Sequence, residues 1–306
     1  MGKLFTPVQV VDAFKAAMIK ALGAVPDTVE LAQITRFDDP KAAKGNKACY
    51  CQLFTDGHPA GYFGNWRTGH YETWVMGGYS TMSATERHHF RQKIEQAKAD
   101  RERQREKQQR SAQARAVSLW ARRLPPNPQH PYLAEKQVLP GVACQMPASP
   151  CLLFPLQDTE GQLWSLQFIA PDGGKKFLSG GRKKGCFIPV QMPDTASNTM
   201  ICEGWATGQT LAEFYPESRV LAALDAGNLL PVAKAARQKW PESRLLICGD
   251  DDRQKEINTG ATKAREASIE TGAQLALPQW PDNAPDSLTD FNDLANWMKS
   301  GGGHGS

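Results

Sequence analysis

The chain of 306 residues has no apolar run approaching the roughly 20 residues that span a bilayer. Its N-terminus, MGKLFTPVQVVDAF, has no apolar stretch of the signal-peptide kind. Both absences point to a cytoplasmic protein with no membrane partner. There are 7 cysteines, an odd number, and no CxxC pair. That argues against a disulfide framework and fits a reducing compartment. No Cys/His quartet of zinc-finger spacing occurs, so no zinc is expected. Cys49 and Cys51, with His58 and His70 downstream, offer a metal site as one reading and ordinary strand cysteines as the other, which is favoured because C-x-C is not the usual zinc spacing. No G-x-x-x-x-G-K-[ST] phosphate loop is present, which argues against a fused ATP-driven helicase or nuclease. Charge of one sign is also scarce in sum, at +4 net, so where the charges lie matters more than their total.

What is present is enough for a sizeable core. Hydrophobic residues make up 41% of the chain, and its length suits two domains or one with appendages. Composition divides it into four regions. Residues 1–84 read as a small α+β domain: PVQVVDAFKAAMIKAL has helical apolar spacing, and short strands with Gly and Asp-Gly turns follow. Residues 85–124 contain neither Gly nor Pro and are rich in helix formers, so a long charged linker helix is expected, capped by Ser83 or Thr85. It reads either as a solvated linker or as a basic arm on nucleic-acid phosphates. Residues 125–197 start with a proline-rich break and one short helix near Tyr132 to Lys136. They then form a β-rich basic subdomain, an antiparallel meander from Cys151 to Val190. Residues 198–300 alternate strand and helix, which predicts an α/β domain with a parallel sheet.

Two strands of that last region end in acid. One is TMICEG, ending at Glu203; the other is RLLICGDDD, ending at Asp250, Asp251 and Asp252. Ligands of open parallel sheets bind beyond the carboxyl ends of the strands. Asp250 and Asp252 are two apart and share a face in extended backbone, with Asp251 opposite. Carboxylates gathered on one rim repel unless they are protonated or bridged by a cation. A divalent ion such as Mg²⁺ prefers oxygen ligands, so the acids read as a metal site. A helix N-cap is the alternative for the aspartates, but it does not account for Glu203.

ICEGWATGQTL followed by LLICGDDD and NTGATKA resembles the TOPRIM domain, a Rossmann-like parallel-sheet unit shared by primases, topoisomerases and some nucleases. DFNDLAN, from Asp290 to Asn296, resembles the acidic segment that closes many primase TOPRIM regions. HPYLAEKQV, KKFLSGGRKKGCF and DGHPAGYFGNWRTG are similar to plasmid and phage TOPRIM primases, including the conjugative TraC type. The resemblance implies that Glu203, Asp250 and Asp252 are catalytic acids, and that with Asp290 they hold two Mg²⁺ or Mn²⁺ ions. It places the β-rich subdomain as a basic groove beside them, where Lys175, Lys176, Arg182, Lys183 and Lys184 meet template or nucleotide phosphates. Lys263, after Gly260 on the following helix, is a further candidate phosphate contact.

The implied activity is a DNA primase: short RNA primers made on single-stranded DNA from nucleoside triphosphates by metal-dependent nucleotidyl transfer, in plasmid, phage or mobile-element replication. Unwinding is expected from a partner such as a replicative helicase. A TOPRIM nuclease and a non-catalytic single-strand DNA-binding replication adaptor remain as alternatives. Trp66, Tyr71 and Trp74 read either as base-stacking aromatics or as core of the small N-terminal domain.

Overall fold

The computed structural model describes residues 5–301 and divides into two compact units, residues 1–102 and 103–306. Among the described residues no helix is long and apolar enough to cross a membrane.

The first unit opens with helix α1 (Pro7–Leu22). Thr6 and Gln9 form a reciprocal capping box, Pro7 occupies the first turn, and Gly23 ends the helix in the left-handed region. Strands β1 (Thr35–Phe37), β2 (Cys49–Phe54), β3 (Ala60–Asn65) and β4 (His70–Val75) follow as one antiparallel sheet in sequence order. Alternation gives the sheet two faces. On one, Val10, Phe14 and Met18 of α1 pack against Cys49, Cys51, Leu53 and Phe63. Gly61 permits that contact, since a Cβ there would stand 3.1 Å from the Phe14 ring. Cys49 and Cys51 are thus core residues, and burial pushes the Cys51 thiol up to about 12. On the other face, Phe54, Ala60, Tyr62 and Val75 meet Met82 and Phe90 at the start of helix α2 (Ala84–Ala121). Ser83 caps that helix in a second reciprocal pair with Glu86.

The later turns of α2 belong to the second unit, where Ala116 packs on Leu153 and Leu166. Helix α3 (Pro131–Lys136) is capped by His130, whose Nδ1 accepts from the Tyr132 N–H. Strands β5 (Cys144–Gln145), β6 (Leu152–Gln157), β7 (Leu163–Ile169) and β8 (Lys175–Phe177) form an antiparallel sheet in that order. The expected meander to Val190 ends sooner. Strand β9 (Ile188–Gln191) leaves it and pairs antiparallel with β11 (Arg219–Ala222) at the edge of the next sheet. The apolar Phe187 and Ile188 are the reason: they bury in cores that the larger sheet shares.

That larger sheet has the order β13-β12-β10-β11-β9, with β10 (Asn198–Cys202), β12 (Arg244–Cys248) and β13 (Gln274–Ala276). Its first four strands are parallel. Helices α4 (Trp205–Phe214), α5 (Ala226–Lys239) and α6 (Thr259–Thr271) make the crossovers, and α7 (Phe291–Lys299) closes the chain. Both faces are covered, as a parallel sheet requires. Met200 and Cys202 point to the α4 side, where Trp205 lies 4.7 Å from the Phe154 ring. Ile201, Leu221 and Ile247 point to the α5–α6 side, against Leu229, Val232 and Ala264. Each fully buried Leu or Ile side chain contributes roughly 1.5–3 kcal/mol, and this core fixes where the strand ends lie.

Candidate active site

Strand β10 is central and pairs in parallel with both β11 and β12, matching Cys202 with Ala222 on one side and with Cys248 on the other. Three strands therefore end level, and the residues just beyond them form one rim. Glu203 follows β10, Asp225 follows β11 at the N-cap of α5, and Asp250 follows β12 after Gly249. Two backbone bonds hold the rim together: Ala223 N–H to the Cys202 carbonyl at 2.7 Å, and Leu224 N–H to the Glu203 carbonyl at 2.8 Å. Leu224 has φ +80, a strained conformation for a branched side chain, and it turns the chain into α5 at this rim.

The acids are close enough to act on one another. Burial pushes Glu203 up to about 7, with the charges of Asp252 and Asp225 adding to the effect. Burial likewise pushes Asp250 up to about 9, helped by Glu203, Asp290 and Asp252. Glu203 Oε1 and Asp250 Oδ1 are shielded from solvent and have no hydrogen-bond partner. A buried carboxylate oxygen without a partner is costly, so the two atoms form an unsatisfied, oxygen-only donor set. Lys175 brings positive charge to the acids. Its Nζ stands 3.9 Å from where a Gly204 side chain would begin, and its charge lowers the Asp250 pKa.

The other expected residues divide. Asp252 faces the rim electrostatically, but its Oδ1 is 2.9 Å from Lys255. Asp251 holds the loop, accepting from Asn258 at 2.6 Å and from the Trp280 indole at 2.9 Å. Asp290 caps α7 by accepting from the Asp293 N–H at 2.9 Å, and burial followed by the Asp293 charge raises its pKa. Lys183 joins the rim by pairing with Asp225. Arg182 does not: it stacks on Trp164 with 4.6 Å to the ring centre and lies 4.0 Å from Asp158. With Lys184 it lines a separate cleft of about 500 Å³, beside Asp158 and Lys234. Lys176 is exposed on β8, where strand alternation turns it away from Lys175. Lys263 pairs with Glu266 on its own helix at 2.6 Å. Among the described residues, no group of three or more His, Cys, Asp or Glu side chains forms a ready-made metal cage.

Asp225 is the residue that sequence reasoning passed over. Its signal was available, since VLAALD is an apolar run ending in acid, as MICE is.

The chain is 37% identical to Escherichia coli DNA primase TraC over an alignment of 245 residues that covers 77% of this chain and 23% of that protein. A second E. coli DNA primase TraC is 35% identical over 232 residues, 73% of this chain and 16% of the relative. The chain is homologous to a part of TraC. It spans a quarter or less of the TraC proteins it matches. A stretch of either length, in a chain of 306 residues, takes in Lys175, the basic loop and Glu203 wherever it begins. No protein-family model matches the chain. Among solved structures, the primase fragment of the bacteriophage T7 primase-helicase covers 56% of this chain and 70% of its own, at 11% identity and TM-score 0.41. A DNA primase domain from Pseudomonas aeruginosa covers 58% and 64%, at 15% identity and TM-score 0.34. Likenesses of this size carry no further argument, and TraC carries the comparison.

Proposed function

We propose that this chain is the catalytic part of a DNA primase, making short RNA primers on single-stranded DNA from nucleoside triphosphates. The observation that carries the reading is the pair of unsatisfied buried oxygens, Glu203 Oε1 and Asp250 Oδ1, on neighbouring parallel strand ends opposite Lys175. The similarity to TraC supports it. On this reading residues 198–300 are a TOPRIM domain. The β-rich subdomain at 125–197 supplies the basic wall, and residues 1–84 and 85–124 are an N-terminal domain and a linker helix.

The donor set fits a hard divalent cation. It consists of carboxylates alone, and two of its oxygens lack any other partner. Glu203, Asp250 and Asp252 would hold Mg²⁺ or Mn²⁺, with Asp290 behind them. When bound, the ions would lower the pKa of the attacking hydroxyl and neutralise the leaving pyrophosphate. The chain's own contribution is positioning. The sheet register levels the acids, α6 shields Asp250, and Lys175 and Lys183 present positive charge to nucleotide phosphates across the rim.

The test is primer synthesis on single-stranded DNA with labelled nucleotides and Mg²⁺ or Mn²⁺, wild type beside Asp250→Ala. Short RNA products from wild type alone are expected. Metal-dependent loss of the template without products would replace the primase by a nuclease. Equal product from both proteins would remove the acid rim from the chemistry.

A further inference from the structure

We propose that the uncovered end of the N-terminal sheet is a second, separate binding surface, on which the bases of single-stranded DNA stack. The strand register lays this surface out. Arg36 pairs with Tyr50, Tyr50 with Gly64, and Gly64 with Tyr71, so one row crosses all four strands. Paired residues share a face. This face is the one opposite α1, whose contacts fall on the alternate residues Cys49, Cys51 and Phe63.

Helix α2 covers only part of it. Phe90 packs on Phe54 at one end. Further along, Arg101 donates to Gln52 Oε1 and to the Tyr62 hydroxyl, both at 3.0 Å. In the next row, from Arg36 to Tyr71, the two ends stay exposed. Arg36 is exposed and Tyr50 half-buried. Tyr71 is 52% exposed, and Trp66, at the head of the turn joining β3 to β4, is 60% exposed.

The row is shaped as a platform. The buried Tyr62 ring supports the row from below, 5.8 Å from Tyr71 and 6.5 Å from Tyr50. Gly64 lets the Tyr50 side chain lie across the neighbouring strand. A Cβ at that position would stand 2.7 Å from the Tyr50 hydroxyl and 2.4 Å from the His70 carbonyl oxygen, so the Tyr50 side chain crosses bare backbone there. The open faces of Tyr71 and Trp66 are not used by the core, and an aromatic face accepts any base.

Charge selects the occupant. No strand places a carboxylate on this face; Glu72 pairs with Phe63 and so belongs to the α1 face. Arg36 and Arg101 stand on or beside the patch, and Arg67 is exposed in the adjoining turn. Aromatic rings interleaved with arginines suit a chain that alternates base and phosphate. The strand is single because stacking needs unpaired bases. It is DNA on the strength of the proposed function alone, since the TraC homologues are DNA primases.

The experiment measures fluorescence anisotropy of the full chain with a labelled thymidine oligonucleotide and with an all-abasic strand of equal length, in EDTA and without nucleotides. Wild type should bind the thymidine strand more tightly than the abasic one. The Trp66→Ala/Tyr71→Ala double variant should lose roughly tenfold or more for the thymidine strand and little for the abasic strand. Tyr71→Phe should bind as wild type does. If the double variant fails to fold, Trp66→Ala alone, an exposed turn residue, carries the same comparison. Retention of the base-dependent preference in these variants would overturn the proposal, as would an equal loss for both strands. An equally strong base-dependent preference for a uridine RNA would overturn the choice of DNA. Because EDTA silences any metal-dependent chemistry, failure here leaves the acid rim untouched. A failed synthesis assay likewise leaves this surface untouched.

Discussion

Asp250 and Gly260 touch across the turn that joins β12 to α6: a Cβ at Gly260 would stand 2.6 Å from the Asp250 carbonyl oxygen and 3.1 Å from its Cβ. The first turn of α6 thus lies directly on the acid and shields it. Asn258 fixes that turn by accepting from the Ala261 N–H at 3.1 Å. Gly260→Ala must push helix and strand end apart. It is expected to cost about 1–3 kcal/mol, the range for overpacking a well-filled contact, and to reduce synthesis as well. Urea unfolding beside a primer assay checks both. A neutral result in the two measurements would mean that α6 yields freely at this point.

Asp250 also makes stability depend on pH. Its folded pKa of about 9 lies far above the ordinary carboxylate value of 3.8, so between those values the folded chain binds the extra proton. Stability is then full at low pH and falls as pH rises towards the folded pKa. Asp250→Asn removes this loss. In EDTA the variant should melt above wild type at pH 8, with the gap narrowing towards pH 5. Mg²⁺ should raise the wild-type melting temperature at pH 8 and leave Asp250→Asn nearly unmoved. Thermal melts with and without the metal decide the matter.

The parallel sheet was legible because each strand is a short apolar run with a helix pattern behind it. Level ends at Glu203 and Asp250 then needed only that β10 and β12 be neighbours, as they are. Which basic residues reach the rim was not legible. Lys175, Arg182 and Lys183 look alike in KKFLSGGRKKG, but they separate by strand parity and by their partners, Trp164 and Asp158 in the case of Arg182. Those partners lie in another hairpin, which local sequence does not encode. The exit of β9 from the meander was hidden for the same reason, since FIPV is a good strand in either sheet.

That separation of the basic residues can be tested. Lys175 lies at the Glu203–Gly204 corner and lowers the Asp250 pKa, whereas Arg182 is spent on Trp164 and Asp158. Lys175→Ala is expected to lower kcat/KM for nucleotide by about tenfold to a thousandfold, the scale of removing one charge-stabilising group. Arg182→Ala should leave kcat within about twofold, since a residue outside the rim has no contact that strengthens in the transition state. Steady-state kinetics on one template separates the two. Equal losses would show that the Arg182 cleft and the rim act as one site.

Asp225 has two tasks that a pair of substitutions pulls apart. Its side chain caps α5 by accepting from the Asn228 N–H at 3.1 Å, and its charge both holds Lys183 and raises the Glu203 pKa. Asp225→Asn keeps an oxygen for the cap and loses the charge; Asp225→Ala loses both. The alanine variant should be less stable by about 0.5–2 kcal/mol, the usual cost of an N-cap, and the asparagine variant close to wild type. In both, removing the neighbouring negative charge should lower the Glu203 pKa. Glu203 would then ionise at lower pH, and the acid limb of the activity profile should move to lower pH by the same amount in the two variants. If the profile moves only in the alanine variant, loss of the cap is the cause, and the charge of Asp225 does not reach Glu203.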